Sequence, residues 1–208
     1  MVFQYCKITE IYRILPSLTG NSKLDYLCGM YKALFSLPST PLKAEWRRHD
    51  LVFKQPAKTS RETFKKKDTY ILKLSFVDQK IEGWGECSPL WTLSIDSKDG
   101  YSEKLDWVCE NINDWKNFIY SDEFSLYPSI QFGLETALLD LQYGGKKVIF
   151  PSRFTNGLDS IEINGLIWMG NYDYMSQQIE GKIEAGYNCV KLKIGAIDWE
   201  QEKDLLQK

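Results

Sequence analysis

The sequence predicts an α+β domain that gives way, near residue 158, to the first βα units of an alternating α/β domain. Three observations predict it. Residues 69–87 alternate apolar and polar side chains through two runs joined at Asp78-Gln79, the pattern of an antiparallel hairpin. Leu134, Ala137, Leu138 and Leu141 recur at i, i+3, i+4 and i+7, the stripe of a core-facing helix. From residue 161 an apolar run, a helical pattern and a second apolar run follow one another, the order of a parallel strand-helix-strand unit.

These patterns divide the chain into 1–41, an extension with no assigned role, 42–157, the α+β domain, and 158–208, the start of the α/β domain. The extension mixes short apolar pieces with turn signals at Pro16, Gly20-Asn21 and 38–41, and its one helical pattern covers 25–37. A charge-rich strand is predicted over 42–54, then a mobile loop over 55–67. Strands follow over 69–77 and 81–87, and a second loop over 88–100. Leu105, Val108, Cys109, Ile112 and Trp115 predict one helix over 101–120. Pro128 opens the striped helix with Ser129 as its N-cap, and Gly144-Gly145 ends it. Glu135 and Asp140 lie off the stripe and read as solvated. In the α/β part, strands are predicted over 161–168 and 188–195, with helices over 172–186 and from 198 onward.

Composition narrows the chemistry. The chain has 208 residues, 43% of them hydrophobic, enough for a sizeable core. A net charge of −2 offers no polyanion-binding surface, so no nucleic-acid partner is expected. Cys6, Cys28, Cys87, Cys109 and Cys189 are odd in number and scattered, and His49 is the only histidine. That argues against a zinc cluster, a disulfide framework and Ser-His-Asp chemistry, and fits a reducing cytoplasm. No apolar run approaches the ~18 residues of a membrane helix, and no secretory signal opens the chain.

The residues that invite chemistry are Lys191 and Lys193, in Val190-Lys191-Leu192-Lys193-Ile194-Gly195. Strand alternation puts both lysines on one face and Val190, Leu192 and Ile194 on the other. Inside a parallel unit a buried ammonium must find carboxylates, line a polar cavity or lose its proton, and a lysine of lowered pKa is a candidate base. The competing reading is a solvated strand face, the ordinary setting of such a pair.

The order of these elements, with Trp84-Gly85-Glu86-Cys87-Ser88-Pro89-Leu90, Ser129-Ile130-Gln131-Phe132-Gly133-Leu134-Glu135, the stretch 163–170 and the Lys191–Gly195 stretch, resembles the muconate-cycloisomerase branch of the enolase superfamily. Within it, the o-succinylbenzoate synthases of menaquinone biosynthesis are the nearest in pattern. The resemblance covers 42–208. It implies an α+β capping domain followed by the first units of a (β/α)-barrel, with the barrel incomplete in this chain. It also implies a small-molecule carboxylate substrate as partner, with Mg2+-assisted dehydration of 2-succinyl-6-hydroxy-2,4-cyclohexadiene-1-carboxylate through an enediolate. Lys193 would then be the base, able to return the proton to the leaving hydroxide. Lys191 would orient the carboxylate and depress its neighbour's pKa. The cap loops 55–67 and 88–100 would close over the barrel mouth, with Thr59, Ser60 and Arg61 at the succinyl or carboxylate end. Lys58 and Glu62 depart from the glycines that the pattern leads one to expect there. The family's three metal carboxylates and a further lysine come from later strands, so the Mg2+ ligands are expected beyond residue 208 and the chain is expected to be inactive alone. The alternatives are a sibling dipeptide epimerase, N-acylamino-acid racemase or muconate cycloisomerase, and, in another class, an inactive truncated fragment or interaction module.

Overall fold

The computed structural model describes residues 36–37, 39–58, 62–195 and 197–208. The expected helix over 25–37 lies almost wholly outside them, as do Thr59, Ser60 and Arg61. The described chain forms two compact units. The first comprises Tyr70–Cys87 and Ile95–Ile149 with the chain up to Arg47, and the second Arg48–Thr69, Ser88–Ser94 and Phe150–Lys208.

Three strands, β1 (Leu42–Lys58), β2 (Thr63–Phe76) and β3 (Glu82–Cys87), form one sheet in that order. β3 pairs antiparallel with β2, Leu72 opposite Gly85 and Leu74 opposite Gly83. Tyr70, Leu72, Leu74 and Phe76 are buried, so the alternating pattern faces the core as predicted. Strand structure extends well into the stretch 55–67, where a loop was expected. This two-stranded arm is solvated and charge-rich, so it lacks the apolar alternation by which a strand is recognised.

The helical part differs in detail from the prediction. α1 (Tyr101–Glu110) stops at Asn111, and a 3₁₀ turn over Ile112–Asp114 leads into the single turn α2 (Trp115–Phe118). Asn111 donates its side-chain amide to the Trp107 carbonyl at 2.8 Å, a local bond that competes with helix propagation. Asn113 turns back to accept the Leu42 N–H at 2.7 Å. The apolar spacing survives the break, and Leu105, Val108, Ile112 and Trp115 are all buried.

α3 (Pro128–Gln142) starts with proline at its first position. Ser129 is not its N-cap. It lies inside the first turn and donates both its N–H (3.1 Å) and its hydroxyl (2.7 Å) to Asp96 Oδ1. The capping carboxylate thus comes from 33 residues upstream, a partner that local sequence reading does not find. Leu134, Ala137, Leu138 and Leu141 are buried, as the stripe requires.

Asp140 and Glu135 are corrections to the solvated reading. Asp140 is 1% exposed. One carboxylate oxygen accepts the Trp84 N–H (3.0 Å) and the other the Lys147 N–H (2.6 Å). The free edge of β3 thereby finds an acceptor on α3 instead of water. Asp140→Ala leaves two N–H groups without that acceptor and is expected to cost about 2–4 kcal/mol. Asp140→Asn, which keeps one acceptor, is expected to cost less, and urea denaturation measures both. Glu135 is half-buried, and that burial raises its carboxyl above the ordinary range despite hydrogen bonds from Tyr120 and Gln131. A raised folded-state pKa means stability fully present below the unfolded pKa and lost as pH rises through the folded value. Glu135→Gln is therefore expected to remove a decline in Tm that begins near about pH 4, read by thermal melts across the carboxylate range.

In the second unit, β4 (Gly165–Leu166) pairs parallel with β5 (Val190–Lys191), with α4 (Tyr172–Glu184) between them and α5 (Trp199–Leu206) after. Asn171 caps α4 by accepting the Tyr174 N–H at 2.9 Å, and Asp198 caps α5 by accepting the Glu200 N–H at 2.9 Å. Both strands are shorter than their apolar runs. Among the described residues they pair only with each other, and Ile161 and Ile163 upstream are exposed. Ile167, Met175, Ile179 and Leu205 form this unit's core, with Val190 and Leu192 packed against it. Each such burial is worth about 1.5–3 kcal/mol. Among the described residues, no helix is long and apolar enough to cross a membrane.

Candidate active site

The α4-facing side of the short parallel sheet is apolar because Ile167, Val190 and Leu192 pack on the helical core. The opposite side carries the lysines. Leu166 stands opposite Lys191 in the ladder, and alternation continues that face to Trp168 and Lys193. All four of these side chains are exposed. The expectation that the lysines are buried is therefore corrected. Helices cover one face of this pair, and among the described residues no strand extends the pair to enclose the other. Ile194, expected on the apolar face, is also largely exposed.

The end of β4 is held by a side chain that the sequence did not single out. Gln178 on α4 accepts the Trp168 N–H at 2.9 Å and donates to the Trp168 carbonyl at 3.0 Å. It satisfies both backbone groups as a neighbouring strand would. Gly170 follows, where an added Cβ would lie 2.4 Å from the Tyr174 ring. The Tyr174 hydroxyl donates to Gln55 Oε1 on the β1–β2 arm at 3.3 Å. Between arm and strand end opens a cavity of about 620 Å³, lined by Phe53, Gln55, Ala57, Trp168, Gly170 and Tyr174 among others.

The two loops singled out in the sequence meet within this unit. Asp68 accepts from Arg48 Nη2 (3.0 Å) and from the Trp91 indole (2.8 Å). The Thr92 hydroxyl donates to Glu62, and the Thr69 and Ser88 hydroxyls share a hydrogen bond of 2.9 Å. A residue type as common as Asp68 carries no motif signal, so only the tertiary pairing reveals it. His49 is exposed on β1. Asp198 serves as a helix cap. Among the described residues, no three His, Cys, Asp or Glu side chains converge as a metal site would require. The described residues therefore do not themselves fit Mg2+.

Comparison with known proteins agrees with this architecture. Residues 43–141 match the family described as MenC, N-terminal domain. An o-succinylbenzoate synthase from Desulfotalea psychrophila is 35% identical over 195 residues, which span 79% of this chain and 52% of that protein. The crystal structure of MenC from Desulfotalea psychrophila LSv54 superposes with a TM-score of 0.62 at 31% identity, covering 81% of this chain and 52% of the other. An o-succinylbenzoate synthase from Thermosynechococcus elongatus BP-1, solved with Mg in its active site, gives a TM-score of 0.52 at 19% identity over 79% of this chain and 47% of that one. The chain spans about half the length of these relatives. An antiparallel α+β domain followed by parallel βα units defines the class, that of the enolase fold. Over residues 43–141 the chain matches the MenC N-terminal domain, and its fold is the one that these solved structures share.

Proposed function

We propose that the protein carrying this chain is an o-succinylbenzoate synthase, a lyase that dehydrates 2-succinyl-6-hydroxy-2,4-cyclohexadiene-1-carboxylate to the aromatic product. The observation that carries the proposal is the open face at the end of β5, where Lys191 and Lys193 stand two residues apart beside Trp168. The position agrees with the rule that barrel enzymes place their chemistry at the C-terminal ends of the strands. The MenC-type domain over 43–141 supports the substrate class.

In this reading Lys193 Nζ takes the proton next to the substrate carboxylate. The hydroxide on the neighbouring ring carbon departs and receives that proton as water, and the ring becomes aromatic. The Lys191 ammonium lies against the carboxylate, where positive charge favours the electron-rich intermediate over the ground state. Thr59, Ser60 and Arg61 take the succinyl or carboxylate end. The whole enzyme requires Mg2+ in this reading, with donors that are not among the described residues.

The test is turnover by the native gene product. Conversion of the cyclohexadiene substrate, followed by the absorbance of the new aromatic ring, is the expected result. Turnover of dipeptides or N-succinylamino acids instead would move the assignment to a sibling epimerase or racemase. No turnover of any of them would favour a non-catalytic module.

A further inference from the structure

We infer that Glu202 is a positioning residue for Lys193, its buried carboxylate fixing the backbone of the strand end that bears the base. The inference rests on the assignment of Lys193 made above. Lys193 lies two residues past Lys191, the last ladder residue of β5. The sheet hydrogen bonds therefore do not by themselves fix its backbone. The chain then turns at Gly195, whose φ of +97° lies in the left-handed region. At that turn Glu202 takes hold. Its Oε1 accepts the Gly195 N–H and, at 3.5 Å, the Ile197 N–H.

Glu202 is 3% exposed, one of the few charged side chains buried in the described chain. Removing a carboxylate from water is expensive unless hydrogen bonds compensate, and bonds from N–H groups to an ionised acceptor are the strong kind. The helix that presents it is itself anchored, since Leu205 on α5 packs with Ile167, Met175 and Ile179. A rigid helical core is thus connected through one carboxylate to the turn immediately after Lys193. The sequence alone shows Glu202 as one of several acidic residues in a short amphipathic helix. Its burial and its backbone partners at Gly195 and Ile197 set it apart.

Misplacing a catalytic group by about 1 Å costs on the order of 100-fold in rate. In the native gene product, Glu202→Ala is expected to lower kcat about 10- to 100-fold with KM little changed. Amide hydrogen exchange at Gly195 is expected to speed up in parallel. Glu202→Gln keeps a side-chain oxygen acceptor and is expected to restore most of both. Leu138→Ala, in the core of the first unit, serves as the control, a comparable loss of stability with kcat retained at temperatures where the variant is folded.

A folded Glu202→Ala with wild-type kcat overturns the inference, as does unchanged exchange at Gly195. If Glu202→Ala does not fold, Glu202→Gln carries the test. A Gln variant as slow as a Lys193 variant, with normal exchange at Gly195, would mean that Glu202 acts by charge and would also overturn it. Lys193→Ala in the same assay separates the two claims. If it retains activity, the assignment of the base is lost. If it is inactive while Glu202→Ala turns over normally, only the positioning role is lost.

Discussion

Replacing Gly85 with alanine is expected to destabilise the protein by at least about 3 kcal/mol, at the upper end of what overpacking costs. The reason is the packing of β3 on α3. A Cβ at Gly85 would lie 1.8 Å from the Gly133 carbonyl oxygen. One at Gly83 would lie 2.1 Å from the Ala137 carbonyl oxygen, and one at Gly133 2.3 Å from Cys87 Sγ. The first two obstacles are backbone and cannot rotate away. β3 must lift off the helix, which opens the interface over Leu72, Leu74, Leu134 and Leu138, all fully buried. Thermal denaturation of the variant measures the loss, expected as a fall in Tm of roughly 6–12 °C.

The same substitution at Gly181 is expected to act in the opposite direction. Gly181 lies within α4, and its Cβ would meet nothing within 4 Å. Alanine there gains about 0.5–1 kcal/mol of helix propensity. Equal melting points for Gly85→Ala and wild type would disprove the close strand–helix packing.

Lys193→Ala in the native gene product is expected to lower kcat by at least about 1,000-fold, the range associated with loss of a general base. The far-UV spectrum and melting point should stay near wild type, because the side chain is exposed. Lys193→Arg should not rescue, since a guanidinium remains protonated and cannot serve as base. Lys191→Ala is expected to act more mildly and to raise KM as well, because in the proposed mechanism it removes the charge set against the carboxylate. If Lys193→Ala leaves turnover intact, the lysine pair is a solvated strand face and the mechanism fails with it. The two large effects thus fall on separate quantities, Gly85 on stability and Lys193 on rate.

Much of this architecture was legible in the sequence because it rests on periodicity. The alternation over Tyr70, Leu72, Leu74 and Phe76 and the stripe through Leu134, Ala137, Leu138 and Leu141 each describe one face of one element. A face must be buried for the domain to hold together. The strand-helix-strand order likewise placed Lys191 and Lys193 on one side of a parallel pair without any knowledge of the third dimension. What the sequence did not disclose depends on partners distant along the chain. Asp140 is buried because β3 presents an edge N–H to it across 56 residues. Ser129 is not the cap because the helix already begins at Pro128, and its N–H and hydroxyl go to Asp96. The two-stranded arm escaped notice because both its faces meet water, so no apolar period marks it.

By itself, then, the sequence determined the order of the elements, their core faces and the lysine pair at the end of the second strand of the parallel unit, since local periodicity encodes each of these. Only the tertiary structure decided that Gly85 must be glycine, that Asp140 is structural, and that Glu202 grips the turn after Lys193. Each of those depends on which atoms two separate segments bring within 4 Å of each other, and no local pattern of polar and apolar residues records that distance.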